Sequence, residues 1–387
     1  MKKNSNYLSI KESHAILKYN NKQMRYYESL KRRKLQPQDY TTTMRNPDNI
    51  IELDNLKTVF FTDTGTVMSV NGVSFDIPKS KIVGVVGESG CGKSVTSLSI
   101  MQLVQAPQGQ VVDGKIRFNS DDLGTDENGN KLCYDIAKMP TEQMYKVRGK
   151  DITMIFQEPM TSLNPVFTIG NQLDEVSFTH NPEITPEEVK ACSIEMLTKV
   201  GIAMPDHVYK SYPHELSGGM RQRVMIAMAL VGNPKLIIAD EPTTALDVTI
   251  QAQILELLKK LQKEQGCSIM LITHDLGVIA EMADEVVVMY AGRVIEKGTA
   301  SEIFHNPMHP YTIGLQKSKP LITSSSSEPL YSIPGQVPNP INLPNCCYFR
   351  NRCERCVAAC EGEYPAEIKV SDTHYVSCHL YDQLNNK

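Results

Sequence analysis

The sequence is short of the features that would place it in a membrane or outside the cell. No stretch approaches the roughly 18 consecutive apolar residues of a spanning helix, and the longest run near the middle, Val224 to Val231, is far too short. The N-terminus lacks the apolar core of an export signal. The chain is therefore expected in the cytosol, at most resting on a membrane. A strong charge of one sign is also missing: 40 basic and 44 acidic residues leave a net −4, which gives no support to a nucleic-acid partner.

What is present is an ordinary globular composition, 41% hydrophobic and 22% charged over 387 residues. That length predicts two or three compact units with a large core. Ten cysteines in a chain of this size without an export signal point to metal-binding, catalytic or inert thiols rather than a disulfide scaffold. Cys91, Cys133, Cys192 and Cys267 are scattered, whereas Cys346, Cys347, Cys353, Cys356, Cys360 and Cys378 crowd the last 42 residues.

Charge is unevenly spread. Residues 1–45 hold eleven Lys or Arg against three acids, +8, which leaves −12 for the rest. Residues 1–48 read as a basic, flexible extension, or alternatively as an arm that meets anionic lipid or an acidic partner. From Ile50 onward short apolar strands alternate with helical stretches. Ile82–Val86 and Leu236–Ala239 are continuous apolar runs suited to parallel strands covered on both faces. Val248–Lys263 carries Ile250, Ile254, Leu257, Leu258 and Leu261 at helical spacing. The pattern predicts an α/β core spanning 49–320, with a helical insertion at about 158–232. The Ser324–Ser327 run and the prolines after it mark a linker into a cysteine-rich unit, 321–387.

Gly87-Glu88-Ser89-Gly90-Cys91-Gly92-Lys93-Ser94 follows the Ile82–Val86 strand and precedes a helix-compatible stretch. In that order the glycines let backbone N–H groups turn inward around phosphate oxygens, and the helix N-terminus adds positive potential. Lys93 would reach the outer phosphates and Ser94 would ligate magnesium. Cys91 reads as a small filler. Leu236–Glu241 would place Asp240 on magnesium and Glu241 as general base for an attacking water; alone, a strand ending in solvated acids explains it equally well. Leu216-Ser217-Gly218-Gly219-Met220 opens a second helix, with Ser217 as N-cap. An ordinary capped helix would not explain why it sits just before the Asp-Glu strand. One fold cannot easily bring both loops to one phosphate, so the second is expected to serve a nucleotide held by another subunit.

These segments resemble an ATP-binding-cassette ATPase over about residues 50–320. The resemblance implies a RecA-like P-loop core with an antiparallel β subdomain and a helical insertion, and the cofactors ATP and Mg2+. By the same resemblance Gln157 contacts magnesium and senses a membrane subunit, and Leu216–Met220 is the signature. Asp247 in Ala245-Leu-Asp247 couples the two sites, and His274 is the switch histidine. Phe60 stacks on adenine, with Phe61 as its rival.

Ile303–Thr312, Ile333–Pro338 and the cysteine tail resemble the ATPase subunits of oligopeptide and dipeptide importers. In part of that family cysteines matching Cys347, Cys353, Cys360 and Cys378 hold a four-iron, four-sulfur cluster. Zinc and unliganded thiols are the alternatives, and Cys353-x-x-Cys356 is a rival half-site. The function implied is an ATP-hydrolysing subunit of a peptide importer on the cytoplasmic face of the membrane. Its partners would be a second cassette, two permease subunits and a substrate-binding protein. A nickel or other solute importer, and a soluble cassette ATPase, are the rival readings. The single phosphate loop, single signature and absent heptad run count against the last.

Overall fold

In the computed structural model, residues 8–158, 162–244, 246–318 and 331–386 are described. Ala245 and the Ser324–Ser327 run with the first proline after it, all used above, lie outside them. Thirteen strands occur among the described residues. They are β1 (Thr41–Thr43), β2 (Asn49–Thr62), β3 (Gly65–Pro78), β4 (Ile82–Val86), β5 (Gly109–Phe118), β6 (Leu132–Asp135) and β7 (Ile152–Ile155). They continue with β8 (Leu236–Asp240), β9 (Ser268–Ile272), β10 (Glu285–Tyr290), β11 (Arg293–Thr299), β12 (Ile368–Lys369) and β13 (Tyr375–Val376). One sheet, in the order β1-β6-β5-β2-β3, is antiparallel throughout. The other runs β12-β13-β11-β10-β4-β9-β8-β7; β10 to β7 are parallel, and β11, β13 and β12 add antiparallel pairs.

The parallel strands are apolar at most positions, with Thr153, Asp240, Ser268 and Glu285 as exceptions, because both faces are covered. Successive side chains point to opposite layers. Ile82, Val86, Ile269 and Leu271 pack toward the helices, while Val83, Val85, Met270 and Ile272 pack toward the antiparallel sheet. Each such fully buried aliphatic stabilises the fold by roughly 1.5–3 kcal/mol. Among the described residues no strand lies between β7 and β8. Helices Ile169–His180, Pro186–Lys199, Pro205–Lys210 and Gly218–Leu230 fill that interval. Three of them start at hydroxyl caps, Thr168, Thr185 and Ser217. No helix among the described residues is long and apolar enough to cross a membrane.

The basic extension differs from expectation. Instead of a flexible arm, Ile10–Lys31 forms a 22-residue helix opened by a Ser9–Glu12 capping box. It docks on the antiparallel sheet: Asn20 Nδ2 donates to the Thr62 carbonyl at 2.7 Å, and Gln110 Nε2 donates to Glu28 Oε1 at 2.7 Å. Tyr27 stacks on Phe61 with 6.3 Å between ring centroids. This helix docks through polar and aromatic side chains, so it shows no strong apolar period in the sequence. The C-terminal segment joins the main sheet through β13, whose Tyr375 pairs with Lys297 of β11. Buried Glu296 fastens it further, accepting from the Met308 and His309 backbone N–H groups and lying 2.8 Å from His374 Nε2.

Candidate active site

The phosphate loop leaves the C-terminal end of β4 and enters helix Lys93–Ile100. Two of its glycines have no substitute. Gly87 sits at φ 153°, where an added Cβ would lie 2.2 Å from the Met289 carbonyl oxygen. Gly92 sits at φ 101°, with the Ser69 carbonyl oxygen 2.3 Å from such an atom. Lys93 is buried, and its Nζ donates to the carbonyls of Gly87 at 2.8 Å and Glu88 at 3.2 Å. Cys91 is buried too, and burial pushes its thiol above the ordinary range, so it is a packing residue.

The end of β8 brings Asp240 beside the start of the same helix. Ser94 Oγ donates to Asp240 Oδ1 at 3.0 Å. Burial holds the Asp240 carboxyl above the usual range; the Ser94 bond and Lys93 oppose that, and Glu241 adds to it. These oxygen donors fit magnesium, which takes one or two protein ligands and completes its shell with phosphate and water.

Glu241 adopts the left-handed region at φ 45°, a costly conformation for a non-glycine residue and one that collects at functional sites. Its carboxylate accepts from Gln157 Nε2 at 3.1 Å and from Thr244 Oγ1 at 2.9 Å, and lies 3.3 Å from His274 Nδ1. β7, β8 and β9 each end just before one member of this group, so three adjacent parallel strands deliver Gln157, Glu241 and His274 to one spot. Together with Ser69, Ser89, Gly90, Gly92, Lys93, Ser94 and Val95 they line a cleft of about 570 Å³.

Other expected residues stand apart. Phe60, half-buried beside Gly109, is not among the cleft-lining residues; its rival Phe61 is buried under Tyr27. Ser217 caps helix Gly218–Leu230 by accepting from the Met220 N–H at 3.3 Å, and Ser217 and Gly218 are exposed. None of Leu216–Met220 lines the cleft. Asp247 is exposed and caps helix Val248–Gln265 through the Ile250 N–H at 3.0 Å.

The cysteines only partly follow expectation. Cys347, Cys353, Cys360 and Cys378 gather near one another. Burial pushes the Cys347 thiol up to about 12, and Cys360, Cys378 and Cys353 add to the effect; burial likewise takes Cys378 to about 11. Yet among the described residues no group of three or more His, Cys, Asp or Glu is arranged to hold a metal ion. The expected iron–sulfur cluster is therefore not shown: as placed, Cys347, Cys353 and Cys360 pack with apolar neighbours such as Tyr348 and Phe349, and Cys378 with Ile368 and Val376.

Sequence reasoning missed Thr244, Ser69 and the C-terminal partners of Glu88. Thr244 was within reach of it, as a hydroxyl three residues after the candidate base. Ser69 and the partners of Glu88 come from distant elements, and no local pattern announces them.

A parallel sheet, a glycine loop feeding a helix, and strand-end Asp, Glu, Gln and His around one cleft define a P-loop nucleotide site of the ATP-binding-cassette class. Comparison with known proteins narrows the class. Residues 70–244 match the family described as ABC transporter, and residues 295–360 match the oligopeptide/dipeptide transporter C-terminal region. The chain is 48% identical to the oligopeptide transport ATP-binding protein AppD of Bacillus subtilis (strain 168) over 334 residues, 86% of this chain and 97% of that one. It is 46% identical to the dipeptide transport ATP-binding protein DppD of the same organism over 87% of this chain and 96% of that one. A solved dimeric, post-hydrolysis ATP-binding cassette, MJ0796 bound to ADP and Pi, aligns with TM-score 0.54 and 25% identity over 65% of this chain and 98% of its own. The chain belongs to the ATP-binding subunits of the oligopeptide/dipeptide branch of ABC transporters, and it is an ATP-hydrolysing transport subunit.

Proposed function

We propose that this chain drives uptake of peptides, working at the cytoplasmic face of the membrane as one of two cassettes beneath two permease subunits fed by a substrate-binding protein. The single observation that supports its chemistry is the convergence of Gln157, Glu241 and His274 on the mouth of the Lys93 loop. In this reading the Gly87–Ser94 backbone and Lys93 bind the phosphates of ATP, and Ser94, Asp240 and Gln157 hold magnesium. The metal, when bound, neutralises charge on the phosphates.

Glu241 accepts a proton from the attacking water, held in place by Thr244 and Gln157. His274, beside it, donates a hydrogen bond to the terminal phosphate. Leu216–Met220 and Asp247 serve the nucleotide of the partner cassette, and Phe60 stacks on adenine. Gln157 lies between the cleft and the helical region, and carries the closing motion toward the permease.

Glu241→Gln tests the reading. It should leave MgATP affinity within about threefold of wild type and lower turnover by roughly 10²–10⁴-fold. Wild-type turnover in that variant removes Glu241 as the base. For the cysteine tail, the match of Cys347, Cys353, Cys360 and Cys378 to the family's cysteines, rather than their placement, supports a four-iron cluster or zinc. Anaerobic purification that yields neither about four equivalents of iron nor about one of zinc per chain removes both.

A further inference from the structure

The C-terminal segment reaches back to the phosphate loop. Arg352 ends a single helical turn, Arg350–Arg352, and its side chain is only 5% exposed. Its guanidinium donates twice to one carboxylate: Nη1 to Glu88 Oε2 at 2.6 Å, and Nη2 to Glu88 Oε1 at 2.9 Å. This is the two-pronged geometry that only arginine supplies. The guanidinium is itself held by its surroundings, with Nε donating to the Pro334 carbonyl at 2.9 Å and Nη1 to the Tyr290 hydroxyl at 3.3 Å. Glu88 is also fixed through its main chain, its N–H donating to the Tyr311 hydroxyl at 2.8 Å. Tyr311 is wholly buried, packed against Tyr290 and Phe349.

Glu88 is the only acid in Gly87–Ser94. It does not line the cleft, although Ser89, Gly90, Gly92, Lys93 and Ser94 do. A carboxylate turned into that cradle would repel a polyphosphate at close range, where little water screens it. The Glu88 carbonyl is also one of the two carbonyl acceptors of Lys93 Nζ, so the placement of Glu88 helps set where the ammonium rests.

We propose that Arg352, with Tyr311, is a positioning residue of the nucleotide site: it cancels the charge of Glu88 and holds that side chain out of the phosphate cradle. The C-terminal segment is thereby a working part of the ATP site. The inference rests on the reading of Gly87–Ser94 as the nucleotide loop.

The test is the equilibrium affinity of the full chain for a fluorescent MgADP, at low and physiological salt. Arg352→Met leaves a charged Glu88 beside the cradle and should weaken binding by roughly tenfold or more, most strongly at low salt. Arg352→Lys, which keeps the charge but not the fork, falls between. The double variant Arg352→Met with Glu88→Gln should return to within about threefold of wild type, since no charge is left to cancel.

A folded Arg352→Met that binds like wild type overturns the proposal. So does a double variant as weak as the single one, which would mark a merely structural role. Where Arg352→Met does not fold, Arg352→Lys and the double variant decide. Wild-type protein without affinity for MgADP would instead overturn the nucleotide reading on which the inference stands.

Discussion

The two glycine-bearing loops of this chain are built from similar parts and end up in opposite conditions. Both precede a helix and present backbone N–H groups at its start. Gly87–Ser94 exposes Ser89 and Gly90 but is tied down on either side of them: Lys93 and Cys91 are buried, Ser94 meets Asp240, and Glu88 is gripped by Arg352 and Tyr311. Leu216–Met220 is anchored by buried Leu216, while Ser217 and Gly218 are exposed, with one capping hydrogen bond. A loop that is finished within its own chain can bind alone. One left open at the surface is free to meet a ligand held by another subunit, and the contrast supports the proposed pair of cassettes sharing two nucleotides.

The contrast can be broken most directly by substituting each loop in turn. Lys93→Ala should abolish measurable MgADP affinity of the isolated chain. Ser217→Arg should leave that affinity within about twofold and lower turnover of the assembled transporter by at least about 100-fold. Comparable affinity losses in the isolated chain would mean that both loops meet one nucleotide, and the paired arrangement would be lost.

A smaller effect sharpens the difference by acid. Burial depresses the pKa of His309 from 6.5 to about 4, with Glu296 acting in the opposite direction; its Nδ1 accepts from the Tyr311 N–H at 3.0 Å. Between those two values the unfolded chain binds the extra proton and the folded chain does not. Stability from this group is complete above pH 6.5 and is lost as pH falls toward 4, on the order of 3 kcal/mol in total. Thermal midpoints measured across pH 7.5 to 5 should show the fall, and His309→Asn should flatten it. Because His309 stays neutral in the folded chain until the pH nears 4, MgADP affinity should not change through this group over the same interval.

The smallest change is Ser217→Ala. It removes one cap, about 1 kcal/mol of stability by denaturant titration, with no change in MgADP affinity of the isolated chain.

Much of this was legible in the sequence because it is local. Ile82–Val86 reads as a strand and is one, and Leu236–Ala239 needs only Asp240 added. The Lys93 loop, Asp240, Glu241, Gln157 and His274 were all named from short segments, and the parallel sheet gathers them. What could not be read is long-range or weakly patterned. Arg352 lies 264 residues from Glu88, and nothing in either neighbourhood announces the other. The helix Ile10–Lys31 docks through Asn20, Tyr27 and Glu28 rather than an apolar stripe, and β1 is three threonines with no alternation to detect. The gathering of the tail thiols depends on backbone turns such as the Cys347 N–H bond to the Cys360 carbonyl, which spacing alone cannot supply.

The end of the main sheet has a consequence for how the chain can be cut. Among the described residues β11 would be the outermost strand but for the two-residue β13, which pairs with its open side and in turn carries the two-residue β12. A chain truncated before Ile368 would bare a ready template for a foreign strand. Such fragments should cling to one another, and the tail thus works as a selvedge that stops the fabric from joining its neighbour.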